Sequence, residues 1–299
     1  MKAIDCFAGL GGWTEGARQA GVRVVWAGNH WQLACDYHAR NHPGVVHACQ
    51  DLHQADWTQV PAHDVLLASS ACQGHTRARG IERPHHDASR ATAWALTGCA
   101  EVHRPPVIIN ENVPEFAQWE LFPVWLEAFR KLGYTPAQIV VNGAELGLPQ
   151  TRKRLFVVFT QSKAPIELRL PKREPVPCAR ILEPLPATTP VRHLCAATRA
   201  RVRLGRRQHG ERFWISYYGA SRNGYSLQQV LGTVTTRERF ALIEGSRMRM
   251  FTVTEYRRAM GFREDYQLPP QKRPAVHLLG NAVPPPMARD ILQALKEAV

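Results

Sequence analysis

The chain has 299 residues, 44% hydrophobic and 21% charged, enough for a full α/β core and a second, smaller lobe. Its formal net charge of +13 points to a polyanionic partner, because each phosphate neutralised by Lys or Arg releases condensed counterions. The seven cysteines lack a C-x-x-C pair, the N-terminus lacks a signal-type segment, and no run nears the roughly 18 apolar residues of a membrane span. A zinc site, a disulfide framework and a membrane helix are therefore not expected, and the chain reads as soluble, cytoplasmic and reduced.

Residues 2–6 read as a short buried strand, followed by a Gly-rich turn at 9–12 and a helix over 13–20. Glycine lets such a turn tighten and approach a ligand closely, and the helix N-terminus behind it favours negative groups. The spacing is not the G-x-G-x-x-G dinucleotide fingerprint. Residues 22–27 form the second strand, 31–41 a helix, and 64–68 an apolar strand leading to Cys72. The loop that follows, 73–90, carries Arg77, Arg79, Arg83 and Arg90 and reads as a basic lid. Helix 89–103, strand 106–110 ending at Glu111, helix 119–132 closed by Gly133, and strands 137–141 and 155–160 complete this lobe.

The texture then changes. Seven prolines fall between 161 and 190, as expected of a linker or an extended crossing. Residues 192–212 hold seven arginines against one acid, Glu211, and run into the aromatic stretch Phe213-Trp214-Ile215-Ser216-Tyr217-Tyr218. Arginine interleaved with aromatics suits a surface that reads a nucleic-acid groove. A final helix is expected over 287–298.

Five segments in order carry a resemblance: Asp5-Cys6-Phe7-Ala8-Gly9-Leu10-Gly11-Gly12, the Cys72 loop, Glu111-Asn112-Val113, Gln150-Thr151-Arg152-Lys153-Arg154, and Gly280-Asn281-Ala282-Val283-Pro284. Together they resemble the C5-cytosine DNA methyltransferases over all but the middle third of the chain. The resemblance implies an α/β fold: a Rossmann-like S-adenosylmethionine-dependent methyltransferase domain with a mostly parallel sheet, and a small basic target-recognition domain. The expected division is 1–160, 161–274, and a segment 275–299 returning to the catalytic domain.

The same resemblance implies S-adenosylmethionine as cofactor, held by Phe7, Gly9, Leu10, Gly12, His30, Trp31, Asp51, Leu52, Asn281 and Ala282. It implies Cys72 as nucleophile toward cytosine C6, Glu111 at N3, Arg154 at the base oxygen, and Arg152 at the pocket or the backbone beside it. Double-stranded DNA is the expected partner of a monomer, contacted through Gln73, Arg77, Arg79, Arg201, Arg203, Arg206 and Arg207, with no metal. Two positions depart from the family pattern: His30 stands where a carboxylate usually holds ribose hydroxyls, and Ala71 where proline usually precedes the cysteine. These departures leave open a variant sulfonium donor and a catalytically silent DNA-binding protein on the same fold. An RNA cytosine methyltransferase is a further alternative.

Overall fold

A computed structural model describes residues 1–71, 90–217 and 221–298. The chain divides into two compact units. The first comprises residues 1–142, 153–171 and 282–299; the second comprises 143–152 and 172–281.

The first unit is built on a seven-stranded sheet in the order β3-β2-β1-β4-β5-β7-β6. Its strands are β1 (Lys2–Cys6), β2 (Arg23–Asn29), β3 (Val46–Cys49), β4 (Val65–Ala68), β5 (Val107–Asn112), β6 (Thr135–Asn142) and β7 (Lys153–Thr160). The five strands from β3 to β5 are parallel neighbours, and β7 runs antiparallel to both β5 and β6. β4 is buried along its whole length, as a central strand covered on both faces requires, which explains its unbroken apolar sequence. Helices α1 (Gly12–Gln19), α2 (Gln32–Asn41), α3 (Ala95–His103) and α4 (Phe122–Lys131) alternate with the strands. A cluster of rings forms the core beneath α4: Trp125 meets Phe116, Phe129 and Phe159 edge-on, and Phe129 stacks on Phe159 at 4.0 Å.

Strand order reverses between β1 and β4, since the chain winds outward through β2 and β3 before β4 is laid on the other side. Loops leaving the carboxyl ends of strands at such a switch point diverge and open a crevice, where ligands of open α/β sheets bind. In this sheet the two loops are the glycine turn after β1 and the segment leading to Cys72 after β4.

The second unit carries an antiparallel sheet in the order β10-β9-β11-β12-β8. The strands are β8 (Thr189–Pro190), β9 (Arg212–Ser216), β10 (Gly224–Tyr225), β11 (Phe240–Glu244) and β12 (Arg247–Met250). Helix α5 (Ala196–His209) covers it through Val202 and Gly205, beneath which lie Phe213, Ile215, Ala241 and Ile243. A side chain at Gly205 would run into the Phe213 ring, so glycine sets how closely the helix approaches. The helices α6 (Val253–Met260) and α7 (Lys272–Asn281) complete this unit. α6 opens on a capping box in which Thr252 and Glu255 satisfy each other's backbone N–H, and closes on Gly261 at φ 75°.

The last helix, α8 (Pro285–Ala298), belongs to the first unit and packs on α1. The contact is glycine-mediated: a Cβ at Gly16 would stand 2.7 Å from Pro285 O, and one at Gly12 would fall on the Val283 carbonyl. Because these neighbours are backbone, they cannot rotate away. We expect Gly12→Ala to lower stability by roughly 1–3 kcal/mol, seen as a lower urea midpoint. Gly44→Ala, at a position with open space around it, should change stability by no more than about 0.5 kcal/mol.

Candidate active site

The turn after β1 is tightly folded. Phe7 (φ 57°), Gly9 (φ 53°) and Gly11 (φ 93°) all adopt the left-handed region, an uncommon conformation for phenylalanine. Gly11 N–H donates to Ala8 O, and Ala8 N–H donates to Gly28 O on β2. The turn feeds the N-terminus of α1, which has no side-chain cap. The positive end of a helix suits an anionic group, so the turn fits the carboxylate of an amino-acid-bearing cofactor. Leu10 and Gly12, expected beside such a cofactor, are both buried: the Leu10 side chain lies in the core, and Gly12 abuts Val283. They can offer a ligand only main-chain atoms.

The ends of β2 and β3 form the next edge, joined by Gln50 N–H donating to Asn29 O. His30 is exposed there, Trp31 is half-buried at the start of α2, and Leu52 is buried. Asp51 is exposed, and its Oδ1 accepts from His53 N–H at 3.0 Å, capping the short turn that follows. Its second oxygen has no partner among the described residues. Ala282 is buried in the first unit, whereas Asn281 is exposed at the end of α7 in the second.

Sequence reasoning gave no role to a polar chain buried behind the glycine turn. Thr14 Oγ1 donates to Asp5 Oδ2 at 2.8 Å and lies 3.0 Å from His38 Nε2, while His38 Nδ1 lies 2.8 Å from His47 Nε2. With the Thr14 hydroxyl proton on Asp5, His38 must donate from Nε2 and accept at Nδ1, so every donor points toward Asp5. Burial raises the Asp5 carboxyl to about 7, against the opposing effect of the Thr14 bond. Burial, with help from His42 and His47, holds His38 well below the usual histidine range. The signal for this chain was three histidines at 38, 42 and 47, but pairing them with Asp5 required β1, α1, α2 and β3 to be assembled.

Glu111 is the penultimate residue of β5 and is 6% exposed. Arg154 Nε lies 2.9 Å from Glu111 Oε1, joining two expected site residues in one ion pair. Arg154 Nη1 donates to Lys153 O, which leaves Nη2 without a partner among the described residues. The residues flanking Glu111 both grip Ser70. Ser70 N–H donates to Asn110 Oδ1 at 3.2 Å, and Asn112 Nδ2 donates to Ser70 O and Oγ at 3.1 and 3.0 Å. Cys72, Gln73, Arg77 and Arg79 lie outside the described residues.

Three of the expected site residues make bonds within their own unit. Arg152, placed among the catalytic residues, is 1% exposed and donates to Val234 O and Gly280 O within the second unit. Its two terminal guanidinium nitrogens thus hold main chain. Arg201, expected on DNA, donates to Ser216 O and lies over the Tyr217 ring, and Arg206 donates to Gly245 O and pairs with Glu211. Both therefore brace the sheet of their own unit. Arg203 and Arg207, one helical turn apart, are exposed on α5. Among the described residues no group of three potential metal ligands occurs, and no helix is long and apolar enough to cross a membrane.

The raised Asp5 carboxyl and the lowered His38 have opposite consequences for stability. Between about pH 4 and 7 the folded state keeps an Asp5 proton that the unfolded chain releases, so stability is lost as pH rises through 7. His38 stays neutral when folded but is protonated below about 6.5 when unfolded, so its stability is lost as pH falls. Asp5→Asn preserves the acceptor for Thr14 and removes only the first effect. Calorimetry should give a higher Tm than wild type at pH 8, no gain at pH 4, and a residual decline on acidification.

A family model for C-5 cytosine-specific DNA methylases matches residues 1–203 and 191–297. The Type II methyltransferase M.NlaX of Neisseria lactamica is 26% identical over 312 residues, covering 100% of this chain and 97% of that protein. The Type II methyltransferase M.MspI of a Moraxella species is 24% identical over 310 residues, covering 100% of this chain and 71% of its own. Among solved structures, DNMT2 of Spodoptera frugiperda aligns with a TM-score of 0.74 over 99% of both chains at 16% identity, a likeness of fold. A family match running through almost the whole chain, on a mostly parallel sheet with a candidate site at its switch point, makes this protein a member of the C-5 cytosine-specific DNA methylase family, a DNA cytosine-5-methyltransferase.

Proposed function

We propose that the protein transfers a methyl group from S-adenosylmethionine to C5 of a cytosine flipped out of a short duplex sequence, through a covalent bond between Cys72 and C6. The observation that carries this reading is the double grip on Ser70. Asn110 and Asn112 flank Glu111 and hold the residue two positions before Cys72, although they stand 40 and 42 residues away along the chain. The chemistry needs a nucleophile and a carboxyl group serving one ring, and this grip ties their chain segments together.

Cytosine C5 is a weak nucleophile. Addition of the Cys72 thiolate to C6 forms a C–S bond and moves the ring electrons toward N3 and C5. Glu111 would stabilise the charge arriving at N3, and Arg154, oriented by Glu111, would offer its outer nitrogen to the base oxygen. When bound, S-adenosylmethionine supplies an electrophilic methyl group for C5 to take. Loss of the C5 proton then expels Cys72 and restores the ring. Cys72 would be favoured as thiolate by Arg77 and Arg79 in the same loop. A stacked base cannot be reached in this way, so it must leave the duplex, with Gln73 a candidate to fill the gap.

The cofactor would be held by the turn at Phe7 and Gly9, by Trp31, and by Asp51 and Leu52. His30 can accept one hydrogen bond from a ribose hydroxyl, where a carboxylate could take two. Arg203 and Arg207 would face the DNA. The names of the relatives, Type II methyltransferases, support a modification role at one short sequence.

Duplexes carrying 5-fluorocytosine should trap wild type as a band stable on a denaturing gel, because fluorine at C5 blocks the final elimination. Cys72→Ser should give no band, and Glu111→Gln should slow its formation by about 10²-fold or more. A band that survives Cys72→Ser would sink the covalent reading. Arg203→Ala and Arg207→Ala should each lower the salt dependence of duplex binding by about one counterion, with Tm unchanged. Arg201→Ala should lower Tm through loss of its bond to Ser216.

A further inference from the structure

Between β4 and Cys72 lie three residues, and each main-chain N–H is taken by a different part of the first unit. Ser69 N–H donates to Cys6 O on β1 at 3.2 Å, and Ser70 N–H to Asn110 Oδ1 on β5 at 3.2 Å. Ala71 N–H donates to Thr92 Oγ1 at 2.9 Å. Thr92 opens a single 3-10 turn, Thr92–Trp94, ahead of α3. That turn is itself anchored: Ala93 is buried, and its carbonyl accepts from the indole Nε1 of Trp125, a fully buried core ring, at 3.0 Å. The acceptor for Ala71 is thus rigidly mounted.

Position 71 is also where the sequence departs from the family's proline. Proline fixes φ near −65° and has no N–H, so it could never make the bond that Ala71 makes. Alanine leaves φ free, and restraint has to come from outside the residue. We infer that Thr92 is the positioning residue for Cys72, supplying by a hydrogen bond from another element the restraint that a proline ring at 71 would supply covalently. This rests on Cys72 being the nucleophile. Thr92 acts through Ala71 rather than on the reacting atoms, by limiting the directions in which the chain can leave that residue.

Positions 71 and 92 should therefore depend on each other. In the natural Ala71 background, Thr92→Val keeps the shape and removes the acceptor. It should lower the single-turnover rate of methyl transfer about tenfold, with affinity for DNA and cofactor within about twofold of wild type. Thr92→Ser keeps the acceptor and should retain the rate. Ala71→Pro should remain within about twofold of wild type, and in that background Thr92→Val should have little further effect, because the ring already sets φ. A purely structural role for Thr92 would give the same loss in both backgrounds.

The experiment follows tritium transfer from labelled S-adenosylmethionine to genomic DNA lacking C5 methylation, using the full chain and all four members of this cycle, with Thr92→Ser and Cys72→Ser alongside. An undiminished rate in Thr92→Val overturns the inference. So does an equal loss in both backgrounds, or a loss in Thr92→Ser equal to that in Thr92→Val, a comparison that stands even if the proline variants fail to fold. Activity surviving Cys72→Ser overturns the nucleophile reading itself, whereas a Cys72-dependent reaction indifferent to Thr92 overturns only the positioning role of Thr92.

Discussion

The candidate site depends on Ser70 being held from both sides by the residues that bracket Glu111. In a β-strand, successive side chains point to opposite faces, so Asn110 and Asn112 share a face and Glu111 takes the other. That alternation lets β5 do two things at its carboxyl end. One face binds the segment leading to Cys72, and the other presents a carboxylate to Arg154 on the antiparallel neighbour β7. Asn110 is saturated only in part: its Oδ1 takes the Ser70 proton, while its buried Nδ2 has no partner among the described residues. An unfilled buried donor costs about 1–3 kcal/mol, so the grip on Ser70 is kept at some expense of stability.

The second unit is knit by a comparable device. Gln150 Nε2 donates to Ala259 O and its Oε1 accepts from Val234 N–H, while Thr151 N–H donates to Leu231 O and Thr233 Oγ1 to Thr151 O. Arg152 adds bonds to Val234 O and Gly280 O, and Gly280 lies so close to Thr235 that a Cβ would enter its peptide group. A short polar run thus ties residues 231–235, α6 and the end of α7 together. Arginine suits this position because its planar fork can satisfy two carbonyls at fixed angles, which a lysine point charge would not do.

Charge alone is a poor guide to which arginines face a partner. Helix α5 has a narrow buried stripe of Thr198, Val202 and Gly205, and arginines lie on both sides of it. Those leaning toward the sheet reach carbonyls at strand ends and an aromatic ring, where their stems are covered and their charge is partnered. Those on the outer face, Arg203 and Arg207, are exposed. The same excess of positive charge therefore contains both bracing groups and exposed ones.

What the sequence determined by itself was local. The strand endings at Cys6 and Ala68, the glycine turn and the glycine stop after α4 all follow from neighbouring residues and were legible as such. Helix α5 was not legible, because its apolar stripe is thin, with a glycine inside it and arginines around it. α7 was likewise missed. The remaining features were decided by residues far apart along the chain. These are the antiparallel setting of β7, the Asp5–Thr14–His38–His47 chain, the commitment of Arg152 and Arg201 to carbonyls, and the pairing of Glu111 with Arg154. Each needs donors and acceptors from separate elements brought within about 3 Å, and hydrophobic periodicity carries no information about such polar partnerships. Local sequence can say that a strand ends in a carboxylate; only the packed sheet decides which charge meets it.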